Sequence, residues 1–428
     1  METTFNKMHP FAAYNKRELG AVLIFYLIWP FGAWLYSLFR CPKTKGAYFI
    51  FFLFSLLLCW HFSPNYSVGH YDDFLGILER FNGNNISTDK LLAIYHDYFS
   101  FSDNAEKDLY ESTLNWVTRL FSDNYHLFFL IASIPVALCQ LTVMKRLTGD
   151  IRFKNASVIG VVLLIMFIFP RDIITVQNPR FTTGFWLAVL GTIDFYCENM
   201  NGTRHWTSIF LVLLAPLCHS GLFLYAALFV AGVFVKPTRL LEIIAIVSIP
   251  FSLFDAGLLH GISASILPAN LQIWAEHYMS DDSFSKYVLN EGRSGFWWIT
   301  DCFEFMMKLV YVVMAVQLIR NRQETMKNAE SSSLYAFFLF LFSIVNLIQF
   351  VPVLGERYYW FVRILCLFVW FKSFGFTKSN MLYLLLFSCS FAMFKRYGYI
   401  LGGALSVTTN PDMFIMPLPY LIATGFIR

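Results

Sequence analysis

Charge is scarce in this chain of 428 residues, 14% of which are Asp, Glu, Lys or Arg, against about a quarter in soluble domains. With 57% hydrophobic and 19% aromatic residues, its apolar surface exceeds what one water-facing fold hides, which implies lipid as part of its solvent. Other absences narrow the class. No CxxC links the eight scattered cysteines, so neither a disulfide framework nor a zinc site is indicated. No basic cluster marks a nucleic-acid surface, and the net charge of +4 is mild. Short alternating segments of the β-barrel kind are missing. No small-residue cleavage pattern follows the first apolar run, Gly20 to Phe39, which reads as a retained helix and not a signal peptide. No second half resembles the first, as internally repeated transporters would require.

What is present is a succession of apolar runs near 20–39, 47–62, 125–144, 156–170, 181–198, 207–219, 220–235, 240–258, 298–319, 334–353, 359–376 and 380–394. They predict an all-α polytopic membrane protein of about 12 transmembrane or re-entrant helices in a single integral domain, 1–428. A last stretch, 411–427, is broken by Pro417 and Pro419 and is not expected to span. The short basic segments RCPKTK (40–45), MKRLTGDIRFK (144–154), KPTR (236–239) and RNRQETMK (320–327) place those loops in the cytoplasm by the positive-inside rule. The amino terminus then lies outside, against the pull of Lys16 and Arg17. Two longer segments become outer loops, 61–124, which is acidic, and 261–297. Their aromatic and leucine spacing predicts short interfacial helices.

Residues 207–235 pose a problem of length. One helix would run about 43 Å, well beyond the hydrocarbon core, and would invert every later loop. Two short helices turning at His219-Ser220-Gly221 keep the charge pattern, and predict a buried hairpin whose tip stops partway. Irregular backbone at that depth is tolerated only inside protein or beside an aqueous cavity.

Arg180 opens the run NPRFTTGFWLAVL, and His219 stands at the hairpin turn. The descent and return bring both to the outer third of the membrane. In GERYYWFVR (355–363), Glu356 and Arg357 begin a descending helix, and Arg363 lies about 9 Å deeper. The bland readings are headgroup snorkelling for Arg180, a carbonyl-bonded core imidazole for His219, and a Glu356–Arg357 pair under an aromatic belt of Tyr358, Tyr359 and Trp360. The functional reading is that fixed guanidinium groups grip a lipid-linked diphosphate and stabilise it as a leaving group. His219 or the loop acids Asp72 and Asp73 would take the proton from a sugar hydroxyl. Asn178, Arg171, Arg363, Glu356, Tyr358 and Tyr359 are the candidate substrate contacts, with no metal and no cofactor called for.

These residues resemble the EpsG-like branch of the Wzy-type polysaccharide polymerases. The pattern runs from the basic loop after the first helix through YSVGHYDDFLGIL, NPRFTTGFWLAVL and APLCHSGLFLY to GERYYW. The block 180–220 is its most specific part. The resemblance implies a GT-C-like architecture and a bacterial inner-membrane enzyme with its active site facing the periplasm. Its reaction would transfer a growing glycan from undecaprenyl diphosphate to a new lipid-linked repeat unit in O-antigen, capsule or exopolysaccharide synthesis. Arg180, His219, Arg357 and the YDD acids Asp72 and Asp73 are the residues it carries over. The implied partners are undecaprenyl-diphosphate-linked oligosaccharides, membrane lipid, a chain-length regulator and a flippase. The chain departs from the family at Thr182-Thr183, where small apolar residues are usual. Rival readings are an O-antigen ligase, which has one very large outer loop; a lipid-linked oligosaccharide flippase; and an acyltransferase, whose histidine would want a nearby carboxylate.

An arginine-based mechanism predicts that transfer survives a divalent-metal chelator. A collapse rescued by magnesium would move the catalytic role to Asp72 and Asp73.

Overall fold

The computed structural model describes residues 16–40, 45–64, 73–83, 85–100, 102, 106, 108–148, 173–198, 206–253, 297–327, 329–349, 352–374, 407–409 and 411–427. Asp72, Arg171, the runs 156–170 and 380–394, and outer loop 261–297 up to residue 296 lie outside them. Helices hold 87% of the described residues, which fits the expected all-α class. The helices are α1 (Lys16–Ile28), α2 (Pro30–Arg40), α3 (Lys45–Trp60), α4 (Asp73–Gly83), α5 (Thr88–Phe99), α6 (Tyr110–Arg119), α7 (Tyr125–Thr148), α8 (Pro179–Glu198), α9 (Trp206–Cys218), α10 (Phe223–Gly232), α11 (Arg239–Leu253), α12 (Trp297–Arg320), α13 (Arg322–Thr325), α14 (Ala329–Leu347), α15 (Pro352–Phe374) and α16 (Leu418–Ile427). A two-stranded ribbon joins β1 (Phe62–Pro64) antiparallel to β2 (Val407–Thr409), pairing Phe62 with Thr409.

The expected single helix over 20–39 is interrupted at Trp29-Pro30, because proline brings no N–H to the ladder. Trp29 Nε1 donates to the Phe414 carbonyl at 2.7 Å, and Phe31 meets the Phe414 ring edge-on at 5.0 Å, which docks the last segment on this break. At 10 residues, α16 spans about 15 Å, too short to cross a bilayer.

One described helix, Tyr125–Leu147 with mean hydropathy 2.2, is long and apolar enough to cross a membrane. Several others are apolar but short, among them Gly46–Trp60, Trp206–Cys218 and Ser332–Leu347.

The centre of the molecule is α8, buried along almost its whole length. Its two glycines let α9 approach. A Cβ on Gly184 would stand 2.8 Å from the Ala215 carbonyl oxygen, and one on Gly191 2.5 Å from that of Ser208. α9 therefore runs antiparallel to α8. The chain then reverses. Leu222 lies against Gly184, Thr192 shares a 2.9 Å hydrogen bond with Tyr225, and Tyr196 donates to the Phe229 carbonyl at 3.3 Å. α10 therefore descends beside the helix that α9 climbed, giving the expected hairpin with its tip at the head of α8.

The basic segments gather at the opposite end. Glu242, with its side chain 3% exposed, pairs with Arg239 and Arg322, each at 2.9 Å. It also accepts from Tyr335 at 3.2 Å, which ties 236–239 to 320–327. Arg146 meets Asp194 at 2.6 Å, and Gly232 lies under the Tyr196 hydroxyl, so these contacts share one end of the bundle. α3 ends at Trp60 against His126 at the start of α7, which sends Lys45 to that same end.

α11 is polar inside and apolar outside. Glu242, Ser248 and Ser252 are buried, while Leu240, Ile243 and Val247 are 66%, 57% and 61% exposed. Asn346 on α14 donates to Ser248 at 2.9 Å. Water would favour the reverse arrangement.

Gly191→Val should force α8 and α9 apart, at about 1–3 kcal/mol, the usual cost of overpacking. The thermal transition of the purified protein should fall; an unchanged transition would mean that α9 shifts freely.

Candidate functional site

The site forms where three parts of the chain meet: the head of α8, the tip of the α9–α10 hairpin, and the loop helices before α7. Asn178 caps α8, its side chain accepting from Phe181 N–H at 3.4 Å. Pro179 occupies the first helical turn, where a missing N–H is harmless. This capping role is the one the structure gives to Asn178, a candidate substrate contact on sequence grounds.

Residues 180–183 then point in four directions. Arg180, with its side chain 24% exposed, turns to the outer loop, with Nη1 3.4 Å from Asp108 Oδ2 and Nε 3.2 Å from Glu111 Oε2. Phe181 is buried beneath the hairpin tip. Thr182 Oγ1 donates to the Thr175 carbonyl at 2.6 Å, fastening α8 to the 3-10 turn Ile173–Gln177. Thr183 faces the Tyr110 phenol, whose pKa burial raises. Of the Thr182-Thr183 pair, which breaks the family pattern, Thr182 anchors the helix head to the 3-10 turn, and Thr183 is buried beside Tyr110.

Phe181 brings the predicted residues together. His219 meets its ring edge-on at 5.3 Å between centroids, the Arg357 guanidinium carbon lies 5.3 Å from its centroid, and Trp360 packs edge-on at 5.7 Å. Arg180, His219 and Arg357 thus occupy one neighbourhood. Arg357 makes no ion pair among the described residues. Arg363 lies on another flank of α15, 5.0 Å from the Tyr359 ring and 5.9 Å from that of Tyr311, and its buried Nε has no hydrogen-bond partner among the described residues. Six residues of helix separate Arg363 from Arg357 by about 9 Å and by roughly a third of a turn, so the structure does not gather the two.

The hairpin turn leaves backbone groups for which other elements supply partners. The Leu217 carbonyl, in the last turn of α9, accepts from Leu109 N–H of the outer loop at 3.0 Å. Gly221 N–H donates to His219 Nδ1 at 3.0 Å. The Tyr358 hydroxyl donates to the Gly221 carbonyl at 2.7 Å and accepts from Tyr225 N–H at 2.9 Å. Tyr358 is therefore a clamp on the break. Tyr359 donates to the Lys308 carbonyl at 3.4 Å. Both tyrosines are 1% exposed, whereas Glu356 is exposed. With Nδ1 an acceptor, a neutral His219 carries its proton on Nε2 and presents a donor there. That suits gripping an anion better than accepting a proton.

The acids beside Arg180 form a network with a second arginine. Arg80 Nε meets Glu111 Oε1 at 2.6 Å, so Glu111 bridges two cations. Ser112 donates to Glu106. Asp108 is 6% exposed. Its burial raises the carboxyl to about 6; Arg180 pulls it down, Glu111 and Glu106 push it up, and Arg80 lowers it. Asp108, Glu111 and Arg80 were not singled out from sequence, since nothing local distinguishes them from the other acids and bases of this loop. Asp73 opens α4. No group of three His, Cys, Asp or Glu side chains suited to a metal ion occurs among the described residues.

Tyr358→Phe would orphan two buried backbone groups at roughly 1–3 kcal/mol each. The protein should lose thermal stability and abundance. A stable variant impaired only in substrate affinity would return Tyr358 to the substrate-contact role.

The chain matches no protein-family model, no curated protein and no solved structure.

Proposed function

We propose that the protein is a polytopic membrane glycosyltransferase of the Wzy type, with a GT-C-like architecture. In this reading it works in the bacterial inner membrane and transfers a growing glycan from undecaprenyl diphosphate to a lipid-linked repeat unit. The observation that carries the reading is the meeting of His219 and Arg357 on Phe181, next to Arg180. Arg357 and His219 meet there, at the end opposite the basic segments, while Arg180 leaves the same helix head toward the outer-loop acids.

The membrane setting draws on the inverted helix α11, whose apolar face is exposed and whose polar face is buried. It also draws on the hairpin, whose turn has its backbone groups satisfied by protein as a lipid environment demands. With the basic segments in the cytoplasm, the site faces the periplasm, where repeat units arrive.

The chemistry follows from charge. The acceptor hydroxyl attacks the anomeric carbon, the bond from that carbon to the diphosphate oxygen breaks with its electron pair leaving on the diphosphate, and the hydroxyl proton is released to water on the periplasmic side. Arg357 carries no counter-ion among the described residues and meets the developing charge with a planar fork of donors. His219 Nε2–H supplies a further donor. Phe181 and Trp360 wall the site and keep water from these groups.

Arg357→Ala should leave the protein folded and lower transfer by roughly a hundredfold or more, the scale for losing one oxyanion donor. Chain-length laddering of the surface glycan on a gel reads this out. Deletion should leave single repeat units on the surface carrier; loss of all surface glycan would favour a ligase or flippase, and an intact ladder in the Arg357 variant would overturn the diphosphate role.

A further inference from the structure

Arg180 faces two carboxylates and cannot turn its Nη1 donor to a diphosphate while that donor is bonded to Asp108. The two carboxylates hold it unequally. Glu111 has a second cation in Arg80 at 2.6 Å, so it stays compensated if Arg180 leaves. Among the described residues Asp108 has Arg180 alone within ion-pair distance, and the contact of 3.4 Å is long beside the ~2.7–2.9 Å of a charge-assisted hydrogen bond. The groups that face Asp108 come from five segments. Arg180 lies on α8 and Arg80 on α4, Glu111 and Glu106 flank it in the chain, Tyr98 lies on α5 and Cys218 at the hairpin tip. The two arginines favour its charged form; the other four are acids that do not.

We infer that Arg180 and Asp108 form a proton-coupled clamp for a lipid-linked diphosphate, in which the guanidinium turns from Asp108 to the ligand and Asp108 takes up a proton. The inference rests on the proposed function for the identity of the ligand. A buried carboxylate deprived of its cation is costly, and protonation removes the cost. The chain places this event at the site, because Leu109, next to Asp108, is hydrogen-bonded to Leu217 at the hairpin tip, two residues from His219. A protonated Asp108 presents an O–H donor to the incoming anion where a carboxylate would repel it.

The sign of the coupling is fixed. Asp108 titrates at about 6 with Arg180 in place, and losing that cation raises it further. Ligand binding therefore takes up a proton above about pH 6. Affinity rises as the pH falls toward that value, by up to about tenfold per unit for one proton, and levels off below it, where Asp108 is already protonated.

The test is calorimetric titration of the full chain in nanodiscs with undecaprenyl diphosphate bearing one N-acetylglucosamine. This diester has no phosphate proton that titrates near neutrality. Two buffers of different ionisation enthalpy give the proton count. Wild type should take up part of one proton per ligand near pH 7. Asp108→Asn should bind at least as tightly with no uptake and a flat pH dependence. His219→Gln, whatever its affinity, should retain the uptake. If Asp108→Asn does not fold, the wild-type pH dependence and Asp108→Glu, which should keep the uptake, decide the matter. Binding without proton uptake by wild type, or uptake that persists in Asp108→Asn, would overturn the clamp and leave the functional reading standing. Failure of wild type to bind at all would overturn both.

Discussion

The break in the backbone at His219–Gly221 is the constraint on which the rest depends. A chain that turns inside a packed bundle must find partners for every N–H and C=O released by the turn. Here the partners come from an outer-loop N–H, an imidazole and a tyrosine hydroxyl. Each of these brings its own segment with it. Leu109 pulls α6 and its acids onto the tip, Tyr358 fixes the start of α15 and with it Arg357, and His219 packs edge-on against Phe181. The site is assembled by the need to close a hairpin.

The same geometry divides the labour among the cations. Arg180 is held by two carboxylates, Arg357 lies on an aromatic ring with no counter-ion among the described residues, and Arg363 lies on another flank between two tyrosines. Three arginines that look equivalent as residues thus differ in what they can offer a ligand. Guanidinium stays charged in all three places, so the difference lies in which negative charge each already faces.

Much of the framework was legible before any coordinates. The hairpin between 207 and 235 follows from helix rise and loop charge, and the contacts of Gly184, Gly191, Thr192 and Tyr196 trace it residue by residue. The gathering of the basic segments was legible for the same reason, since Glu242 links two of them. The break at Pro30 was missed, since the run 20–39 reads as one helix on its hydropathy, although proline cannot donate to the helix ladder. The ion pairs of Arg180 were not legible. Asp108 and Glu111 belong to a run of loop acids, and no local pattern says which of them folds back over a helix some 70 residues later. The roles of Tyr358 and Asn178 were hidden for a related reason: a tyrosine in an aromatic belt and an asparagine before a proline look the same whether they touch ligand or backbone.

Sequence alone determined the helical class, the apolar runs, the basic segments at one end, and the need for a turn at His219, because these follow from composition, periodicity and length. Tertiary structure alone decided that Arg180 faces Asp108 and Glu111, that His219 and Arg357 share Phe181, and that Thr182 fastens the head of α8. Those are contacts between segments distant along the chain, where partner choice depends on which surfaces packing brings within a few ångströms, and no local periodicity encodes it.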